Sequence, residues 1–186
     1  MTTNHASLTD PEIHEPKNVS TATSGQVYTA DGSGSGSWQK QFKYIGVGSS
    51  YSTASPYVHT LSTTDSVLNP TVGVINSSQF TLLSSPNMRL RYDGVEALKG
   101  HCTLNFSFRQ SDGADRDVQW LLVKNGVPLT GSRMIATCPS AKWVVGSLAY
   151  DVSLTTNDYL EVYASSSSGF NSDYAKLYLS IEGHVV

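Results

Sequence analysis

The side chains that could do chemistry in this chain are few, and their spacing fits no catalytic arrangement. A serine nucleophile on a strand-to-helix elbow needs Gly-x-Ser-x-Gly, but the run Asp31-Gly32-Ser33-Gly34-Ser35-Gly36-Ser37 has glycine at the centre. The run also misses the dinucleotide pattern Gly-x-Gly-x-x-Gly in every register, and no strand–helix context surrounds it. It reads as a flexible linker. The five histidines, His5, His14, His59, His101 and His184, lack metal-ligand spacing. Asp112, Asp115 and Asp117 flank a turn, where oxygen ligands could serve calcium, yet the pattern reads as a solvated turn. Glu96, Asp117, Asp151 and Glu161 are carboxylates available for glycoside hydrolysis, and none sits in a distinctive motif. Cys102 and Cys138 read as two free, mostly buried thiols. The expectation is a protein that is not an enzyme, with no catalytic residues, no metal and no cofactor.

The elements that would carry these side chains are strands. Cys102, Leu104, Phe106 and Phe108 alternate with Thr103, Asn105, Ser107 and Arg109, which is period two with one face buried. Val118–Val123 is apolar on both faces and reads as central. Asn125-Gly126 is the strongest hairpin signal. Met134–Thr137, Trp143–Val152, Tyr159–Tyr163 and Leu177–Ile181 continue the series, with turns at Ser111–Asp115 and Thr155–Asp158. Upstream, Phe42, Tyr44, Ile45 and Val47 suggest a short strand, Gly48–Ser52 a loop, and Tyr57, Val58 and Leu61 a second short strand. No helix pattern of useful length appears. The fold class is therefore all-β, a sandwich or barrel.

The chain of 186 residues has room for one such domain plus an appendage. We divide it into an N-terminal arm (1–40), a connecting segment (41–66) and a β-domain (67–186). In the arm, Asp10-Pro11, Glu15-Pro16 and the Gly/Ser run break regular structure. Two apolar notches, Ile13 and Val27-Tyr28, could order against a partner. Charged residues make up only 15% and the formal net charge is −3, without a Lys/Arg cluster, which argues against nucleic acid. No apolar run is long enough to cross a bilayer, and the N-terminus has no signal-peptide pattern. The protein is expected to be made in, and released from, a cytosol.

Ten tyrosines are more informative. Tyr159 and Tyr163 share a face opposite Leu160 and Val162, and Tyr178 opposes Leu177 and Leu179. Tyrosines on an outer sheet face suit a subunit interface, because each ring buries area while its hydroxyl stays satisfied.

Residues from about 88 to the C-terminus resemble the C1q/TNF-like jelly roll. The likeness rests on the strand Cys102–Arg109, on Val118–Val123 followed by Lys124-Asn125-Gly126, and on Leu154-Thr155-Thr156-Asn157-Asp158-Tyr159-Leu160-Glu161-Val162. That last stretch has Asn157 where the family usually has glycine. The resemblance implies a two-sheet jelly-roll β-sandwich, here with an extended, mostly irregular N-terminal arm, that assembles as a homotrimer; Tyr159, Tyr163 and Tyr178 would lie in the trimer interface. The arm is narrower in its likeness. Asp10-Pro11-Glu12-Ile13-His14-Glu15-Pro16-Lys17 and Val27-Tyr28-Thr29-Ala30-Asp31-Gly32-Ser33-Gly34-Ser35-Gly36-Ser37-Trp38 resemble the N-terminal segment of small virion proteins of tailed bacteriophages. Together the two ends resemble a phage head fibre or capsid decoration protein. That implies a place on the virion surface, assembly in the host cytoplasm, and a partner in the major capsid protein or another virion protein. Pro11, Ile13, His14, Glu15, Pro16 and Lys17 would be the anchor, with Val27 and Tyr28 as a second contact. The alternative is a short tail fibre or receptor-binding tip, in which the loop Ser165–Asn171 would meet a host glycan. No nucleic-acid or membrane partner is expected.

Overall fold

The computed structural model describes residues 22–23, 26–30, 32, 36–40, 44–70, 73–77, 79–83, 88–111 and 113–185. Two units are distinguished, Met1–Lys43 and Tyr44–Val186.

In the first unit β1 (Gln26–Ala30) and β2 (Gly36–Lys40) pair antiparallel. The end of the Gly/Ser run read as a flexible linker, Gly36-Ser37, therefore lies in a paired strand. Gly32 takes the left-handed φ of +80° at which a Cβ would strain, and a Cβ on Gly36 would lie 2.8 Å from the Tyr28 ring. Tyr28 pairs with Trp38 across the strands, ring centroids 5.4 Å apart and edge to face. The composition thus hid two tasks for glycine, turning the chain and admitting an aromatic ring. The anchor residues Pro11, Ile13, His14, Glu15, Pro16 and Lys17 lie outside the described residues.

Among the described residues the second unit has twelve strands: β3 (Tyr44–Leu61), β4 (Ser66–Val67), β5 (Gly73–Ser77), β6 (Phe80–Leu83), β7 (Arg89–Tyr92), β8 (Leu98–Gln110), β9 (Arg116–Lys124), β10 (Val127–Pro128), β11 (Met134–Cys138), β12 (Trp143–Leu154), β13 (Tyr159–Ser166) and β14 (Phe170–Val185). Sheet I runs β10-β9-β13-β7-β6, with β11 also on β9 and β4 on β13. Sheet II runs β12-β8-β14-β3-β5. First and last long strands lie side by side, Tyr44 opposite His184. Reading along sheet II from β3, the chain order β3, β14, β8, β12 interleaves with β7, β13, β9, β11 of sheet I. That wrapping makes a two-sheet jelly-roll β-sandwich, the fold class the sequence leads one to expect.

The inward residues follow the alternation. Trp120 of β9 is fully buried at the centre. It stacks on Phe106 at 4.3 Å, meets Phe108 edge-on at 5.3 Å and donates its Nε1–H to the Tyr174 hydroxyl at 3.1 Å. Leu104, Leu122, Leu148, Leu160, Leu177 and Ile181 fill the remaining space. Cys102 and Cys138 are free and buried, and burial pushes the Cys102 thiol up to about 12, which leaves it unreactive. Leu121 and Val123, on the other side of β9, are also fully exposed to no solvent, so that strand is buried on both faces as its composition implied. The stretch Gly48–Ser52, which reads as loop, lies instead inside β3, in register with Lys176–Ser180 of β14. Pairing along a central strand outweighs the weak β preference of glycine and serine.

Two turns at one end are tied together. Asn125 and Gly126 have φ of 51° and 78°, the primed turn expected of Asn-Gly. Asn157, which stands where the resembled family has glycine, takes φ of 72°, a conformation asparagine tolerates better than most residues. The Asn125 amide donates to Asp158 at 2.6 Å and its carbonyl accepts from Tyr159 N–H at 2.9 Å. Asp158 also accepts from Thr155 N–H at 2.7 Å and pairs with Lys124 Nζ at 2.8 Å. Burial raises the Asp158 pKa, but these bonds from Lys124, Thr155 and Asn125 outweigh it and hold the carboxyl at about 2. A depressed carboxyl pKa stabilises the fold above the unfolded value of 3.8, and that stabilisation is lost as pH falls towards 2. Asp158→Asn is therefore expected to lose about 1–2 kcal/mol at pH 7. Urea midpoints at pH 7 and pH 3 check this, because the gap from wild type should narrow at the lower pH. A gap of equal size at both would refute the electrostatic origin.

Candidate functional site

The outer face of sheet II is built by the second half of the alternation. β12 places Trp143, Val145, Ser147, Ala149 and Asp151 outward, since Leu148 and Val152 point into the core. Register then sets the rows across the sheet: Asp173–Arg109–Trp143, Lys176–Ser107–Val145 and Tyr178–Asn105–Ser147. Beyond Tyr178 and Ser180 the sheet continues into β3, in register at Ser50 and Gly48. The result is a sheet face whose larger groups are a few aromatic and aliphatic residues among small polar ones.

Two of those groups are unusually exposed for their type, Trp143 at 44% and Val145 at 80%. Trp143 is held in place. The Arg109 guanidinium lies over its ring at 5.0 Å and donates from Nε and Nη2 to Asp173 at 3.1 and 2.5 Å. Val145 borders a shallow hollow of about 480 Å³ that reaches Tyr178, with Asn105, Ser107, Ser147 and Lys176 around it. Nearer the other end of the face, His101 Nδ1 and Asp151 Oδ1 are 2.8 Å apart, beside Lys99, Glu182 and His184. An apolar centre with a charged rim is the composition of a protein–protein interface.

The outer face of sheet I differs. Tyr159 and Tyr163 share it, as their spacing implies, but Glu161 between them is 2% exposed. Arg89 donates to one Glu161 carboxylate oxygen from Nε at 2.8 Å and from Nη2 at 2.5 Å, and its guanidinium lies over the Tyr159 ring at 4.6 Å. Tyr163 faces Leu121 on one side and Val67 on the other, and its hydroxyl pKa is pushed up, first by burial and then by Glu161. Both tyrosines are thus already engaged within the chain. Tyr178 belongs to the opposite sheet, so the three predicted interface tyrosines do not form one patch. In the hairpin, neighbours Val27 and Tyr28 point to opposite faces, Val27 being 46% exposed.

The carboxylates singled out for catalysis or for calcium are dispersed. Asp117 accepts from the Thr137 hydroxyl at 2.6 Å, Asp115 from Ser140 N–H at 3.0 Å, and Asp151 sits with His101 on the other sheet. Asp112 lies outside the described residues. Among the described residues no group of three His, Cys, Asp or Glu could hold a metal ion, and no helix is long and apolar enough to cross a membrane. The run Ser165–Asn171 projects little: Ser165 and Ser166 are buried in β13, and the connection to β14 is short. Sequence reasoning missed Trp143 and Val145 as surface groups. The signal was present in the parity of β12, whose even positions are the inward ones.

No family model matches this chain, and no characterised protein matches it in sequence. Some solved structures are similar to it at low values. The Eiger TNF of S. frugiperda is similar over 75% of this chain and 92% of its own length, with 12% identity and a TM-score of 0.47. A family 35 carbohydrate-binding module from Clostridium thermocellum covers 66% of this chain and 90% of its own, at 15% identity and TM-score 0.32. The infectious bursal disease virus Gx strain structure covers 80% of this chain and 35% of its own, at 9% identity and TM-score 0.37. At these values the likeness is one of β-sandwich form, and it assigns no ligand or activity to this chain.

Proposed function

We propose that the protein is a non-enzymatic virion structural protein of a tailed bacteriophage, a trimeric capsid decoration or head fibre on the particle surface. Its arm, through Pro11–Lys17 and the Val27-Tyr28 strand, attaches to the major capsid protein or another virion protein. Its jelly roll is the displayed knob. Attachment is supported by the resemblance of the arm sequence to virion segments. The observation that carries the knob's role is the outer face of sheet II, where Trp143 stands exposed and an exposed Val145 borders an apolar hollow that reaches Tyr178. A closed threefold ring joins two different surfaces of neighbouring copies, so tyrosines on opposite sheets are compatible with one assembly.

The arm is tested by rebinding. Particles stripped of this protein are expected to bind the full chain and not a chain beginning at residue 41, measured by co-sedimentation, with both proteins first shown to assemble with the same number of chains in solution. Equal binding of the shortened chain would overturn the anchoring role.

A further inference from the structure

The chain has a single asparagine followed by glycine, Asn125-Gly126. In that dipeptide the glycine backbone nitrogen can attack the side-chain carbonyl carbon of the asparagine, because no Cβ crowds the approach. The new C–N bond closes a five-membered succinimide, and the side-chain nitrogen leaves as ammonia. Water then opens the ring at either carbonyl, giving aspartate or isoaspartate. Water is the only co-reactant, and both residues are exposed to it. The turn cannot avoid this dipeptide. Its primed geometry gives the two residues φ of 51° and 78°, and a Cβ at the second would be strained.

The folded turn holds the amide away from that path. Nδ2 donates to Asp158 Oδ1 at 2.6 Å, and Oδ1 accepts from Tyr159 N–H at 2.9 Å. The Asn125 backbone N–H also donates to the Tyr159 carbonyl, at 3.0 Å. Attack on the carbonyl carbon requires the side chain to turn its face to the Gly126 nitrogen, which breaks both side-chain bonds at once. The partner cannot follow. Asp158 Oδ2 takes the Thr155 N–H at 2.7 Å, the Thr155 hydroxyl at 3.1 Å and Lys124 Nζ at 2.8 Å. Behind it, Asn157 N–H donates to the Tyr92 carbonyl at 2.7 Å and Tyr92 N–H to the Asp158 carbonyl at 2.8 Å, fastening this turn to β7. Asp158 is also ionised at neutral pH, so it has no proton to lend the departing nitrogen.

We propose that Asn125 is a deamidation site: the closed Asn125–Asp158 clamp blocks it, local opening releases it, and the carboxylate formed keeps the clamp from closing as before. The product at position 125 has no side-chain N–H to give Asp158, and it sets a second negative charge within hydrogen-bond distance of the first. Lys124 would then be the one amine between two carboxylates. In the isoaspartate product the main chain runs through the former side chain. One extra backbone atom enters the turn, and the two-residue connection between the paired Lys124 and Val127 is lost. Each opening that reacts is therefore recorded irreversibly at one end of the sandwich.

Peptide mass mapping of the full chain, held for days at mildly alkaline pH, tests the site by the gain of about 1 Da at Asn125. The urea-unfolded chain should convert while native wild type stays largely unmodified. Asp158→Ala removes the acceptor of Nδ2 and should speed conversion of the native protein about tenfold, the shift in open population expected on losing a hydrogen bond to a charged group. Ile181→Val trims the buried core of sheet II and lowers stability without touching the turn, so its rate should stay near wild type. Asn125→Asp supplies the product directly and should unfold at lower urea than wild type, a measurement that stands if the alanine variant does not fold. Equal rates in native and unfolded chains, an unchanged rate in Asp158→Ala, an equal rise in Ile181→Val, or an Asn125→Asp protein as stable as wild type would each overturn the proposal.

Discussion

Replacing Trp120 with alanine is expected to destabilise the jelly roll by about 3–5 kcal/mol, enough to leave a domain of ordinary stability largely unfolded at 37 °C. The indole is the one large side chain of sheet I that reaches Phe106, Phe108 and Tyr174 of sheet II together. Truncation opens a cavity that the facing aromatics cannot close, because Phe106 is itself wedged: a Cβ on Gly146 would lie 2.4 Å from its ring. It also removes the donor to a Tyr174 hydroxyl that burial has cut off from water. Urea unfolding followed by far-ultraviolet circular dichroism measures the loss. Trp143→Ala provides the contrast, since that ring is 44% exposed and its removal should cost below about 1 kcal/mol. Similar costs at the two tryptophans would contradict the assignment of one to the core and the other to the surface.

The same pair shows what could be read from the sequence. Trp120 lies in a run apolar at every position, so its burial followed whichever face was inward. The strands from Leu98 onward, the Asn125-Gly126 turn and the two buried cysteines were likewise legible, because local alternation and turn chemistry agree with the tertiary structure there. Trp143 and Val145 were not. In Trp143–Leu154 the strand holds large apolar residues of both parities, and only the pairing Gly146–Phe106 and Leu148–Leu104 decides which set faces in. The β3 strand escaped for a related reason. Its glycines and serines carry no periodic signal, and pairing with β14 is what makes them a strand. In the candidate site, sequence spacing correctly put Tyr159 and Tyr163 on one face. It could not show that Arg89, 72 residues away in the chain, engages Glu161 beneath them.

Val145→Glu is expected to convert the proposed trimer into a monomer without unfolding it. The position is 80% exposed, so a carboxylate there costs the isolated fold little, within about 0.5 kcal/mol. In an assembly the same group would have to be desolvated beside Tyr178 and Lys176, and would gain at best one cation in return. Because a threefold ring repeats each contact, the penalty is paid at every interface. Several kcal/mol at each is sufficient to shift the mass measured by light scattering from about three chains to one. Val127→Glu, at a comparably exposed valine (64%) on the β10 edge of sheet I, should leave the mass unchanged. Separation of the arms would then weaken attachment to particles by up to roughly 10²–10⁴-fold, the factor that linking weak sites supplies. A Val145→Glu protein that remains three chains would remove the sheet II face from the interface. A wild-type protein of one chain would remove the trimer itself, and the exposed Trp143 would then need a partner of another kind.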